Sequence, residues 1–373
     1  MNLANVWEAI ADRLGDQPAL VHAGTPLSWS GFEDRAARIA AHLESAGVGP
    51  DSKVALYLYN CTEYPIATFA AFKRSAVPVN VNYRYLEAEL EYLLDNSDAE
   101  AVVVSAELLD RLAEVIDRVP DVATVVAVGD ESSVPPPVSS AFGDRLHWFD
   151  QVVADNGPAP RRRGEMSDLW FLYTGGTTGM PKGVMWPHSS ILGAAAPTFR
   201  LIGAEVPESP GEAADTAARF AERGKSVRML AAAPLMHGTS GIPMLGVLSA
   251  GGCVVTLESR SLDAAELCET VQRDRVGQLN IVGDAFAKPI VAELDRAAAA
   301  GEPYDLSSLK AVVSSGTMWS KETKEAMLVH CDAALADLLG SSEGTGMAAS
   351  ISKRNRAAGT ARFSLGENST VLT

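Results

Sequence analysis

Leu169 to His188 reads LWFLYTGGTTGMPKGVMWPH, in which the apolar segments LWFLYT and GVMWP flank the polar loop TGGTTGMPKG. The pattern predicts a strand, a loop and a second strand. Gly175, Gly176 and Gly179 remove Cβ hindrance and let backbone amides converge, Thr174, Thr177 and Thr178 add hydroxyls, and Lys182 adds a positive charge. Together these suit phosphate oxygens. The Walker pattern fails, because Pro181 precedes Lys182, Gly183 follows it, and GVMW favours a strand over a helix. A plain Gly/Thr hairpin is the competing reading, but hairpin turns seldom need this many hydroxyls together with a lysine.

On both sides of this stretch, strand-like runs alternate with helical spacing. VALYLYN, AVPVNVN, AVVVS and TVVAVG precede it, and GGCVVTL and LKAVVSSG follow. Between two of them, Phe32, Ala36, Ile39, Ala40 and Leu43 make one helix face that ends at Gly47 and Gly49. This alternation predicts an α/β fold of layered, largely parallel sheets flanked by helices. Glu131 to Ser140, with three consecutive prolines, and Gly157 to Glu165, with three adjacent arginines, read as linkers. The second places a boundary, giving subdomains 1–163 and 164–355, the latter carrying the phosphate loop. Glu205 to Lys225 reads as a surface loop and helix. Arg161 to Arg163 read as part of a solvated linker and receive no function.

The chain has 373 residues, 47% apolar and 21% charged, which fits one large or two medium domains and excludes disorder, collagen and small disulfide scaffolds. Lys plus Arg total 31 against 47 Asp plus Glu, a formal net charge of −16. That field repels polyanions, so nucleic acid is not an expected partner. Cys61, Cys253, Cys268 and Cys331 form no C-x-x-C pair and read as reduced, buried thiols. The N-terminus MNLANVWEAIADRLGD has a helical pattern and lacks the parts of a secretory signal, and Met229 to Leu257 is too interrupted to span a bilayer. A cytoplasmic protein is expected, with peripheral membrane contact and a homodimer both left open.

Beyond the loop, PLMHGTSG, SSGTMWSKE and LLGSSEG follow in order. With TGGTTGMPKG they make the chain resemble the adenylate-forming superfamily of acyl-CoA synthetases, luciferases and peptide-synthetase adenylation domains. The resemblance covers nearly the whole chain. It implies that family's large N-terminal domain, with 356–373 starting a small β-rich subdomain. The family's C-terminal lid domain and its lysine do not appear before Thr373, so the chain resembles a truncated portion whose activity is expected to be impaired. Gly175 stands where the family usually has Ser.

Several site residues follow from the resemblance. His237, Gly238 and Gly241 would flank the carboxylate-binding tunnel. The residues alone leave His237 open between a gate and a hydrogen-bonded core histidine, and leave Gly238, Gly241 and Gly246 open between close helix packing and an apolar channel. Gly316, Thr317 and Met318, after the strand-like LKAVV, would line the adenine plane; the family often has Ala-Pro at 317–318. Helix capping at Ser320 is the alternative. Asp337 would accept from the adenine amine, Leu339 replaces a customary Tyr, and Gly340, Ser341 and Ser342 would continue the nucleotide contact. Glu343, with Thr178, would hold Mg²⁺, since a carboxylate near a polyphosphate needs a cation between them. Asp284 reads as the cap of a helix near Ala285, in preference to a substrate contact.

Activating a carboxylic acid needs no general base, because the nucleophile is already ionised. That agrees with the lack of a Ser-His-Asp or Cys-His constellation in these blocks. Catalysis would rest on positioning and charge neutralisation by Thr178, Lys182 and Glu343. The resemblance thus implies ATP-dependent activation of an apolar carboxylic acid to acyl-AMP, then thioester formation with CoA. DRVGQLNIVGDAFAKP looks most like fatty-acid and sterol-side-chain ligases. Delivery to a carrier protein and a silent nucleotide-binding module are the alternatives.

Overall fold

The computed structural model describes residues 1–175, 179–354, 356 and 358–366. Its strands, in chain order, are β1 Pro18–His22, β2 Thr25–Ser28, β3 Lys53–Tyr57, β4 Val77–Asn80, β5 Ala99–Ser105, β6 Thr124–Val128, β7 Leu146–Trp148, β8 Leu169–Thr174, β9 Lys182–Pro187, β10 Arg228–Ala231, β11 Cys253–Thr256, β12 Gln278–Ile281, β13 Ala311–Ser315, β14 Ala334–Ser341, β15 Gly344–Ser352 and β16 Ser364–Leu365. They form two sheets, ordered β7-β6-β5-β3-β4-β8-β9 and β16-β15-β14-β13-β12-β10-β11-β1-β2. The chain divides into two compact units, one of Met1–Gln17, Leu27–Gly193 and Val206–Arg219, the other of Pro18–Pro26, Ala194–Glu205 and Phe220–Thr373.

In the first unit every pairing is parallel except β8 with β9. Val54, Ala55 and Leu56 of β3 and Val102, Val103 and Val104 of β5 are fully buried, which is why those strands read as unbroken apolar runs. Trp29–Ser45 is the helix expected from its periodicity. Its Phe32, Ala36, Ile39, Ala40 and Leu43 are all buried, and the Ser28 hydroxyl caps it by accepting from the Gly31 amide at 3.1 Å. Gly47, at φ +89°, turns the chain away. Helix Leu3–Leu14 starts with a reciprocal cap between Asn2 and Asn5, and its Trp7 packs on Phe32, Phe69 and Phe72 at centroid distances of 6.0, 5.2 and 5.8 Å.

The expected division at residue 163 is not where the units part. Val79 of β4 pairs with Phe171 of β8, so the hairpin carrying the phosphate loop belongs to the first sheet. The stretch 157–165 has no regular structure and is mostly exposed, as expected of a solvated linker, yet side-chain bonds also tie it down as a strap. Arg161 forks onto Asp12 at 2.6 and 2.8 Å and reaches Glu33, while Arg162 meets Glu44 at 2.7 Å. The Asn5 side-chain Nδ2 donates to the Arg162 carbonyl at 2.7 Å. These partners lie on the first two helices, which accounts for Arg161 and Arg162 without a ligand.

The second unit is built on the parallel series β14-β13-β12-β10-β11-β1, extended by antiparallel β15 and β16. Its core includes Val255, Val276, Ile281, Val312, Trp319 and Leu335. The four cysteines are free and buried, as expected. Pro210–Glu222 supplies the helix expected within 205–225. Among the described residues no helix is long and apolar enough to cross a membrane.

Candidate functional site

Each compact unit carries part of the expected site. In the first, β8 and β9 form an antiparallel hairpin whose register runs from Leu169 opposite Pro187 to Thr174 opposite Lys182. Thr174 and Lys182 therefore face each other where the loop leaves the sheet. Lys182 is exposed, and among the described residues no atom outside its own neighbours lies within 4 Å of a Cβ built on Gly175. Gly179 sits at φ +155°, also in open space. Gly176, Thr177 and Thr178 lie outside the described residues. Gly183 is required for a different reason: a Cβ there would fall 2.6 Å from the Tyr173 ring directly across the hairpin.

The hairpin is gripped at three places that the sequence reading missed. Asn80, 2% exposed at the end of β4, donates its amide to the Tyr173 carbonyl at 2.9 Å and accepts from the Tyr173 amide. It thus replaces the ladder bonds that β4 stops supplying one residue before the loop. Asn2 donates to Asp168 Oδ2 at 2.8 Å, just before β8. The Leu3 amide donates to His188 Nδ1 at 2.9 Å, just after β9. Burial of the His188 imidazole lowers its pKa to about 4, so the ring is a neutral acceptor. A polar residue closing an apolar strand, as in AVPVNVN, is the only sequence signal that pointed to Asn80.

In the second unit the carboxyl ends of parallel strands bring three separate blocks to one rim, the usual ligand position in such sheets. Gly316, at φ +90°, follows β13, and a Cβ on it would lie 3.8 Å from both Thr239 Oγ1 and Val282 Cγ1. Gly316, Thr317 and Met318 are exposed. Gly283, after β12, touches the same turn: a Cβ there would lie 2.3 Å from Thr317 Oγ1 and 2.4 Å from the Met318 carbonyl oxygen. Ser315 is in register with Leu338 of β14, whose exposed end carries Leu339, Gly340 and Ser341. Glu343 occupies the turn into β15 and is exposed. A bond from Ser341 holds its carboxyl below the usual range, so the group is ionised.

His237 is the N-cap residue of helix Gly238–Ser249 and half-buried; its carbonyl accepts from the Ser240 and Gly241 amides at 3.1 and 2.8 Å. Pro243 stands inside this helix and has no N–H for the carbonyl of Thr239. Asn280 of β12, fully buried, supplies the missing donor at 2.9 Å and itself accepts from Gln278. The Gly246 alternatives resolve to close packing, since a Cβ there would lie 3.0 Å from that of Ala195.

Asp337 is 3% exposed, and its Oδ2 accepts from Lys324 Nζ at 2.9 Å, so one of its two carboxylate oxygens is engaged. One expectation is corrected. Asp284 does not cap its own helix, which already starts at Gly283. Its carboxylate accepts from the Ser320 amide and hydroxyl at 2.9 and 3.1 Å, joining two helix starts, while Ser320 caps helix Lys321–His330.

Comparison with known proteins agrees with this geometry. The family model for AMP-binding enzymes matches residues 7–367, and the chain belongs to that family. It is 33% identical over 381 residues to a medium/long-chain-fatty-acid-CoA/3-oxocholest-4-en-26-oate-CoA ligase of Mycolicibacterium smegmatis. It is 32% identical over 379 residues to a 3-oxocholest-4-en-26-oate-CoA ligase of Rhodococcus rhodochrous. Both matches take in 100% of this chain and 66% of the relative, so the chain spans just under two thirds of their length. An anthranilate CoA ligase solved with anthranoyl-AMP shares the fold, with a TM-score of 0.75 at 18% identity over 93% of this chain and 61% of that one. The expected fold, the large N-terminal domain of adenylate-forming enzymes, is the one observed.

Proposed function

We propose that the chain carries the nucleotide- and acid-binding part of an acid-thiol ligase that activates an apolar, fatty or sterol-side-chain-like carboxylic acid with ATP and passes the acyl group to CoA. The observation that supports this most is the rim at the ends of β12, β13 and β14, where blocks far apart in sequence converge on exposed backbone and one ionised carboxylate. The similarity to two CoA ligases supports the acid and acceptor classes.

In this reading a substrate carboxylate oxygen attacks the α-phosphorus of ATP. The bond from that phosphorus to the bridging oxygen breaks, pyrophosphate leaves with the electron pair, and an acyl-phosphate anhydride remains. The CoA thiolate then attacks the acyl carbon and expels AMP. Thr174, Gly175, Gly176, Thr177, Thr178, Gly179 and Lys182 hold phosphate oxygens; Gly316, Thr317, Met318 and Leu339 hold the adenine; Gly340, Ser341 and Ser342 continue the nucleotide contact; His237, Gly238 and Gly241 border the acid.

Among the described residues no three His, Cys, Asp or Glu side chains gather into a cation cage. Mg²⁺ bound through substrate phosphates needs only one or two protein oxygens, and Glu343 fits that demand, with Thr178 as its proposed companion. Bound there, it would neutralise charge on the phosphates. Glu343→Ala and Thr178→Ala are each expected to lower carboxylate-dependent ATP-pyrophosphate exchange roughly a hundred- to a thousandfold, or about 2.7–4 kcal/mol. Exchange at the wild-type rate would refute the assignment.

A further inference from the structure

Lys324 is the one lysine among the described residues whose side chain is 0% exposed in an ion pair. It lies in helix Lys321–His330, its Nζ 2.9 Å from Asp337 Oδ2 and 5.5 Å from the centroid of the fully buried Trp319 ring. Asp337 is in register with Ser314 of β13 on one side and Ser350 of β15 on the other, at 0% and 4% exposure. The Ser350 hydroxyl has no partner among the described residues. Burying two charges is expensive, and an apolar pair of similar volume often serves stability as well or better. What an ion pair adds is direction. Two residues beyond Asp337 the β14–β15 register shifts, between Leu339 and Ser341, and Glu343 follows in the turn. A register shift is where a strand pairing is least constrained by its ladder. On the other side, Lys324 rides on a helix whose first turn is bound through Ser320 to Asp284 and whose preceding residues are Gly316 to Trp319.

We infer that Lys324 is a positioning residue: by holding Asp337 it sets the β14–β15 turn against the Gly316–Met318 segment and so aims Glu343. The inference rests on the functional reading above, in which Glu343 serves Mg-ATP. It requires that Lys324 act through Glu343 and not merely through folding.

The test is a double-mutant cycle read by calorimetric titration of Mg-ATP into the wild-type chain, Lys324→Met, Glu343→Ala and the double variant, with thermal unfolding recorded for each without nucleotide. The expected result is a tenfold or greater loss of affinity in each single variant and no further loss in the double. Additive losses overturn the inference alone. Wild-type affinity in Glu343→Ala overturns it together with the functional reading. Should Lys324→Met fail to fold, the charge-free pair Lys324→Met with Asp337→Leu takes its place in the cycle. That pair is expected to recover thermal stability while affinity stays at least tenfold low, and recovery of both overturns the inference. Lys324→Arg, which keeps the charge, is expected to restore affinity to within about threefold; failure of that rescue in a folded protein also counts against it.

Discussion

Replacing Gly283 by alanine isolates the turn that the proposed adenine site depends on. Two penalties can be worked from the structure. Gly283 has φ +48°, a conformation that costs a residue with a Cβ about 1–2 kcal/mol. The new methyl would also fall 2.3 Å from Thr317 Oγ1 and 2.4 Å from the Met318 carbonyl oxygen. The threonine can rotate away, but the carbonyl is backbone, and it accepts from the Asp284 amide at 3.0 Å. Relieving such an overlap costs about 1–3 kcal/mol. Taken together the variant should lose about 3 kcal/mol, or roughly 6–12 °C in Tm at 2–4 °C per kcal/mol. Because relief moves Gly316 to Met318, nucleotide affinity should fall with it. Calorimetric unfolding and Mg-ATP titration on the same sample check both. An alanine variant within 2 °C of wild type and equal in affinity would show that the Gly283 contact does not shape the turn.

Asn80→Ala should leave the Tyr173 amide and carbonyl buried without partners, at roughly 1–3 kcal/mol each, and weaken Mg-ATP binding by freeing the hairpin; urea unfolding with parallel titration checks this, and an unaltered urea midpoint counts against it. The pH dependence of stability follows from His42 and His188. Burial, with His147 beside His42, lowers both imidazoles from 6.5 to about 4. The unfolded chain therefore takes up protons first, so this stability is complete above about pH 6.5 and is lost as pH falls towards 4, at about 3 kcal/mol for each ring over the whole window. Urea midpoints at pH 7, 6 and 5 should decline accordingly, and His42→Gln should flatten the decline by about half.

Much of the fold was legible because its strands are buried on both faces. Runs such as AVVVS and TVVAVG have no other plausible role, and the face from Phe32 to Leu43 has one period. The hairpin Ala334–Ser341 and Gly344–Ser352 was harder to read. ALADLLGS and GTGMAASIS hold few β-branched residues, and β14 is pinned by a buried charge that sequence assigns to the surface. The same inversion hid Asn80 and Asn280, polar residues whose partners are backbone groups over 40 positions away. The misplaced boundary has a similar origin. Proline and arginine at 157–165 look like solvent-exposed tether, and only their distant carboxylate partners show that the segment is bound. Individual site positions were read from local motifs, whereas what holds each of them is tertiary.

The bond from Asn280 to the Thr239 carbonyl has an evolutionary corollary. Pro243 is tolerable only while a neighbouring strand lends its helix a donor, so the two positions should be replaced together or not at all. A lineage that swaps Asn280 for an aliphatic residue should also have exchanged the proline for one bearing an amide hydrogen. Selection for new acids in this region would then favour changing side chains along the helix over sliding the helix itself, because its opening turn is stitched to the sheet.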